Sequence, residues 1–218
     1  MINKRKSNLS FNISVEGLDE KIYLMRVQEI INNLPLKYTV NFNIKIDNPT
    51  SFVKGNVIGY EKYPFYHIKD FESSENSEFY FTIDECIKAQ QLRNILGYKF
   101  YYTNICFELW IILHKKLFTS RITNTKDYLK QINQCYNMKI KSFKDLKQEN
   151  VYKKIVAQID INDILTAIKN AKCITNNNKI NYNISKYKNV EYYKENPSLN
   201  LHEFIEFILK EVGYLKSK

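Results

Sequence analysis

Residues 103–114, Thr-Asn-Ile-Cys-Phe-Glu-Leu-Trp-Ile-Ile-Leu-His, set one carboxylate, Glu108, inside an almost wholly apolar helical run. An ionised carboxylate buried without partners is strongly unfavourable, so Glu108 is expected to pair with a base, bind a metal or stand ready for proton transfer. Three more acids follow apolar, strand-like runs in the same way: Glu16 after residues 9–15, and Asp84 and Glu85 after residues 79–83, while Glu108 itself follows the run at 99–103. In a parallel sheet the carboxyl ends of neighbouring strands converge on one edge, where ligands bind. Clustered oxygens with no Arg or Lys in the same turns suit a hard cation such as Mg²⁺ or Mn²⁺, which would relieve their mutual repulsion. Acids at strand ends and helix starts also serve the helix dipole, and that is the other reading of the same residues.

The neighbours of these acids read more plainly. Trp110 is flanked by Phe107, Ile111 and Leu113 and belongs to a core. His114 follows Glu108 by about 240° of helix at roughly 100° per residue, so the two do not share a face and a structural role for His114 outweighs a catalytic one. His67 and His202 stand alone as weak metal candidates, and Cys106 reads as a small buried packing residue without a base to activate it. The lysines Lys139, Lys141, Lys144, Lys147, Lys153 and Lys154 form a phosphate track, with Tyr136 and Tyr152 near it for base contact. Lys115 and Lys116, just past the Glu108 helix, join them as nucleic-acid-binding candidates. A solvated lysine face would look the same.

The elements that must position these groups can be read in order. Residues 9–15 alternate apolar and polar as a strand does, pass through Glu16-Gly17, and give way to a helical pattern of Ile22, Met25 and Ile30 that runs to about Asn33. A second alternating run, residues 38–46, ends at Asp47-Asn48-Pro49. Residues 50–78, with Gly55, Gly59, Pro64 and the polar turn at 73–77, are expected to be a hairpin or insertion. Residues 79–83 are then read as a continuous apolar strand ending at Asp84-Glu85, followed by a helix (Ile87, Gln91, Ile95) that stops near Gly97. Residues 99–103 form the next strand, and Asn104 caps the helix holding Glu108. From Thr125 onward the pattern is helical over roughly 125–136, 142–157, 161–173 and 199–212, interrupted by the Asn-rich stretch 175–183. Alternating strands and helices imply parallel βαβ units with right-handed crossovers. The expected architecture is an α/β core with a parallel sheet over residues 1–120 and a basic helical region over 121–218 packed on it.

Composition agrees with a folded chain that meets a polyanion. Of 218 residues, 44% are hydrophobic and 14% aromatic, ample for a core. The net charge is +10, and residues 1–109 hold 13 basic and 13 acidic residues whereas residues 110–218 hold 20 and 10. A neutral, acid-bearing half joined to a basic half fits carboxylates at a reaction centre and lysines along a phosphate backbone; AT-rich coding explains the Lys, Asn, Ile and Tyr content equally well. Cys86, Cys106, Cys135 and Cys173 show no Cys-x-x-Cys spacing, so neither a zinc knuckle nor a disulfide framework is indicated and a reducing, cytoplasmic setting is expected. No apolar h-region follows the charged start, and no run approaches about 18 apolar residues, so neither secretion nor membrane spanning is expected.

Several segments resemble the RloB-like proteins of the Toprim-type group. Phe11-Asn-Ile-Ser-Val-Glu16-Gly17-Leu-Asp-Glu20-Lys-Ile-Tyr23 is similar to their opening strand and Glu-Gly-x-x-Glu turn. Residues 103–114 resemble the Ser-Asn-Pro-Cys-Phe-Glu-Leu-Trp-Leu-Leu-Leu-His segment, with Thr for Ser and Ile for Pro. Residues 167–171 and 196–202 are similar to the family's C-terminal helix and closing Asn-Pro-Ser element. The resemblance spans nearly the whole chain in the family's order. It implies a Toprim-like core, Mg²⁺-dependent cutting or transfer at phosphodiester bonds of DNA or RNA (tRNA included), and a role in bacterial antiphage defence, with a defence-system protein as a further partner. It makes Glu16 the general acid/base and Asp84 the first aspartate of a metal-binding Asp-x-Asp. Glu108 and His114 match family-specific positions that orient substrate or tune the metal site. One departure stands out: Glu85-Cys86 follows Asp84 directly, so either Glu85 supplies the second carboxylate or the site is degenerate. Asp70 and Glu72 contribute only if the preceding segment folds over the edge. Two rival readings therefore remain: a degenerate module that binds nucleic acid or a phage trigger without cutting, and a partner subunit that docks an acidic protein.

Overall fold

Strands β1 (Ser7–Val15) and β2 (Tyr38–Ile46) run parallel, in register from Ser7 beside Tyr38 to Val15 beside Ile46. Helix α1 (Leu18–Asn33) makes the crossover between them, as the switch from alternating to helical periodicity requires. The computed structural model describes residues 7–56, 63–72, 77–92 and 95–216. Phe11, Ile13 and Val15 are buried in the cluster that includes α1, and Ser14 turns to the opposite face. Strands β3 (Tyr63–Asp70) and β4 (Ile95–Asn104) extend the sheet in parallel, and the two-residue β7 (Ser198–Leu199) closes it antiparallel, giving the order β2-β1-β3-β4-β7.

Two expectations are overturned between residues 50 and 90. The segment expected as a hairpin contains helix α2 (Pro49–Asn56) and the central strand β3, while most of the polar stretch and Gly59 lie outside the described residues. The segment expected as a strand at 79–83 belongs to helix α3 (Ser77–Gln90). The reason lies in the spacing: Phe79, Ile83 and Cys86 are buried at i, i+4 and i+7, whereas Phe81 between them is 58% exposed, a helical stripe that a short apolar run does not disclose. By contrast Phe65, Tyr66, His67 and Ile68 of β3 are buried on both faces, as a parallel strand covered on each side must be. Pro64 sits where the β3–β4 register shifts, a place that tolerates its missing N–H. Gly97 lies inside β4 and ends no helix.

The remaining helices are α4 (Glu108–Leu113), α5 (Thr125–Cys135), α6 (Phe143–Leu146), α7 (Glu149–Val156), α8 (Ile161–Asn181) and α9 (Leu201–Glu211). Helix α8 runs on through much of the Asn-rich stretch because Ile174 and Asn178 continue its buried side, and Asn178 Nδ2 donates to Pro197 O at 2.9 Å. One face of the sheet carries α1, α4, α8 and α9 in a single apolar cluster reaching from Phe11 to Val212; the other carries α2, α3 and the hairpin β5 (Ser185–Tyr187)–β6 (Val190–Tyr192). The structure is thus mixed α/β with a mostly parallel five-stranded sheet, its later part mainly helical. Among the described residues no helix is long and apolar enough to cross a membrane.

Candidate active site

At the carboxyl edge of the sheet, four acids from three different junctions meet. Asp19 and Glu20 lie in the first turn of α1, Asp70 ends β3, and Glu108 opens α4. All are buried, Glu108 completely. Gly17, the N-cap of α1, admits the first two: a Cβ there would stand 2.5 Å from Asp19 Oδ1 and 2.7 Å from Glu20 Oε2, so the turn closes on its own carboxylates only without a side chain. Lys147, just past the end of α6, places its ammonium among them. Its Nζ is 2.8 Å from Glu108 Oε1 and also bonds Asp19 Oδ2. Thr103 Oγ1 donates to Asp70 Oδ1 at 2.6 Å.

The charges do not balance, and the titration behaviour records it. Burial, then the fields of Asp19 and Asp70, raise Glu20 well above the ordinary carboxylate range. Burial also raises Asp70; Glu108 and Asp19 push the same way against the opposing pull of Lys147 and Thr103. Burial alone would lower Lys147, but Glu108, Asp19 and Asp70 outweigh it and hold the ammonium charged. Glu20 Oε2 and Glu108 Oε2 are buried without a hydrogen-bond partner, an arrangement that favours the protonated form of Glu20. The centre is open to solvent through a cavity of about 470 Å³ bounded by Asp70, Glu72, Cys106, Phe143 and Lys147. It adjoins a second, of about 460 Å³, that shares Glu72, Ile105 and Thr123 and adds Arg121 and Lys194. A larger cavity, about 640 Å³ between β4 and the β5–β6 hairpin, contains none of these acids.

An oxygen-only donor set with excess negative charge and unpartnered buried oxygens is the chemistry that a hard cation prefers. Asp70, Glu20 and Glu108 are the residues that would hold Mg²⁺. Among the described residues no three His, Cys, Asp or Glu side chains are already placed to hold a metal ion, and Lys147 pairs with Glu108 and Asp19 there.

The residues singled out by sequence fall in three places. Glu16, at the end of β1, leans toward the α3 face: its Oε1 is 2.5 Å from Lys69 Nζ and its Oε2 accepts from the Asp70 N–H at 3.4 Å. Glu16 and Glu108 therefore flank the same edge. Asp84 and Glu85 do not end a strand; they sit within α3, where Asp84 pairs with Lys188 at 2.8 Å and accepts from Tyr187 OH, and Glu85 pairs with Lys88 at 2.9 Å. Hydrogen bonds from Lys188 and from Thr50 respectively hold them below the usual carboxylate range. His114 is buried, donating Nδ1–H to Trp110 O at 2.9 Å and accepting from Tyr23 OH at 3.1 Å, with burial lowering it to about 4. It orders the core and carries no charge.

The lysines divide likewise. Lys115 ties Asp163 at 2.7 Å and Lys116 bonds Gln131, so both brace the helices. Lys139, Lys141, Lys144 and Lys154 are exposed, as is Lys153, which pairs with Glu149 at 2.7 Å. Tyr136 and Tyr152 are buried and cannot meet a base, contrary to the expectation for them.

Asp19 and Glu20 were given no role by the sequence, although they share the turn with Glu16, and Asp70, expected to contribute only if the preceding segment folded over the edge, reaches the site as the last residue of β3. No curated protein and no solved structure matches the chain. The model of the RloB-like proteins matches residues 13–208, from the end of β1 through α9, and the chain belongs to that family.

Proposed function

We propose that this protein is a metal-dependent nuclease with a Toprim-like core, cutting phosphodiester bonds of RNA, tRNA or DNA in the cytoplasm as part of bacterial antiphage defence. The observation that carries the reading is the buried set Asp19, Glu20, Asp70 and Glu108 at the carboxyl edge of a parallel sheet, with more negative charge than Lys147 neutralises. Asp70-Phe71-Glu72 follows β3 with the acid–x–acid spacing that the family resemblance sought at Asp84, and it takes over that role. The groove beside it, with Arg121, Lys147 and Lys194 on its walls, suits a phosphate backbone. The four cysteines are unpaired, in keeping with a reducing compartment.

In this reading Asp70, Glu20 and Glu108 would hold Mg²⁺ through carboxylate oxygens, and the ion would supply Lewis-acid stabilisation of the charge that develops at the phosphodiester. Glu16, partly exposed and beside Lys69, holds or releases a proton at its carboxylate. Lys147 keeps the acids together and presents its ammonium to the groove.

The test is titration of Mg²⁺ or Mn²⁺ into protein with labelled tRNA, single-stranded RNA and DNA, beside Asp70→Asn and Glu16→Gln. Metal-dependent cleavage lost in Asp70→Asn is the expected result; cleavage at the wild-type rate in both variants sinks the assignment. A second reading, a binding module without catalysis, draws support from Lys147 filling the centre of the acids. It predicts salt-sensitive binding that persists in EDTA with no cleavage of any substrate.

A further inference from the structure

On the α3 face of the sheet, a separate cavity of about 270 Å³ begins at Glu16. Its walls include Val15 and Ile46 from the ends of β1 and β2 and Pro49 from the start of α2, together with His67, Lys69 and Phe81. Phe81 and Ile46 are 58% and 49% exposed, although Phe79 and Ile83 on the same helix as Phe81 are buried completely. Phe81, with the Lys88 ammonium 5.7 Å from its ring centre, borders a cavity of mixed polar and apolar lining and offers an exposed aromatic ring to a flat ligand.

His67 supplies the polar feature. The ring is 3% exposed, stacked on Phe100 at 5.9 Å and 22°, and its Nδ1 lies 2.8 Å from Ser14 Oγ, which is itself 2.6 Å from Tyr98 OH. Its Nε2 is buried without a hydrogen-bond partner. Such a nitrogen, fixed in place by two hydroxyls and a stacked ring, is an interaction left incomplete. Asp47, Glu85 and Glu16 also line the cavity, and these carboxylates repel a phosphate while accepting from amino groups. The size falls just below the roughly 300–1,000 Å³ of pockets for drug-sized ligands, which suits one planar heterocycle and not a whole nucleotide.

We propose that this cavity receives a single nucleobase splayed out of a single-stranded segment, stacked on Phe81 and hydrogen-bonded at its edge by His67 Nε2. The inference rests on the nucleic-acid reading above and deepens it, since a base can reach the cavity only where it is not paired. The substrate class would then be single-stranded or looped nucleic acid.

The experiment is fluorescence anisotropy of the full chain in EDTA with a labelled single-stranded oligonucleotide, the same oligonucleotide carrying abasic positions, and a duplex. Phe81→Ala is compared with Leu96→Ala, an exposed apolar residue on β4. Loss of one base–aromatic stack corresponds to at least about fivefold weaker binding. The expected result is that loss for Phe81→Ala on the intact single strand, little change for Leu96→Ala, and no further loss for Phe81→Ala on the abasic strand. Wild-type binding of both strands by Phe81→Ala overturns the base pocket and leaves the nuclease reading intact. No binding of single strand or duplex by the wild-type protein overturns both.

Discussion

Replacing Lys147 by Met removes one ammonium and little volume from the middle of the acid centre. Glu108, whose side chain is 0% exposed, loses the Nζ at 2.8 Å, and Asp19, 8% exposed, loses the cation it pairs with. Removing one partner of a buried pair costs about 3–5 kcal/mol. The Lys147 side chain is itself 34% exposed toward the groove, and solvent screening there brings the expected loss to roughly 2–3 kcal/mol. For a chain of this length that is a fall of about 4–12 °C in melting temperature. Thermal melts of Lys147→Met against wild type in EDTA should show it at neutral pH. As pH falls the gap should narrow, because Glu20 and Asp70, whose carboxyls are raised, take up protons more readily than ordinary carboxylates and then repel less. Millimolar Mg²⁺ should restore the variant more than it raises the wild type, since the divalent ion takes over the work of the lost ammonium. An unchanged melting temperature in EDTA would show that Lys147 is not the counter-charge, and a gap independent of pH would show that the acids do not repel as described.

Other consequences of the same geometry can be checked singly. Gly17→Ala sets a methyl group against the Asp19 and Glu20 carboxylates and should cost about 1–3 kcal/mol in urea unfolding while weakening the stabilisation by Mg²⁺; a neutral effect means that the first turn of α1 can shift. Mg²⁺ binding should release protons from Glu20 and Asp70, visible as calorimetric heats that vary with buffer ionisation enthalpy; buffer-independent heats refute the raised carboxyls. His114 is held neutral down to about 4 in the fold, so as pH falls through about 6.5 the unfolded chain gains a proton that the fold excludes and stability drops. The stability gap between wild type and His114→Gln should therefore shrink by about 1.4 kcal/mol per pH unit below about 6.5, and a pH-independent gap would contradict the buried neutral ring. Asp84→Ala breaks the pair with Lys188 and the hydrogen bond from Tyr187 OH, both away from the acid centre, and should leave cleavage near the wild-type rate; its loss would return Asp84 to the site.

The parts of this fold that could be read from sequence are those whose periodicity is unambiguous. Residues 38–46 alternate and form β2 over that same span, and the β1–turn–α1 unit is marked by a change of period at Glu16-Gly17. Two short apolar runs, 65–68 and 79–83, look alike in isolation because a buried parallel strand and one buried helix stripe both appear as unbroken hydrophobicity. Exchanging them moved the acid after the strand from Asp70 to Asp84. Glu108 was legible because a lone carboxylate in an apolar run requires a partner wherever it folds. The partner was not: Lys147 looks like every other lysine between 139 and 154, and only its place just past α6, within reach of Asp19 and Glu108, separates it from its exposed neighbours.

The electrostatics tie the two regions together. Asp19, Glu20, Asp70 and Glu108 all come from the first half of the chain, and the ammonium that makes their burial tolerable comes from the second. One cation against four carboxylates still leaves an excess, which Glu20 and Asp70 relieve by holding protons. A proton neutralises one oxygen at a time, whereas a divalent cation can face several oxygens at once and needs them deprotonated. The same unbalanced charge thus explains why the acids need Lys147 for stability, why they titrate high without metal, and why the affinity of this centre for a hard cation should rise with pH.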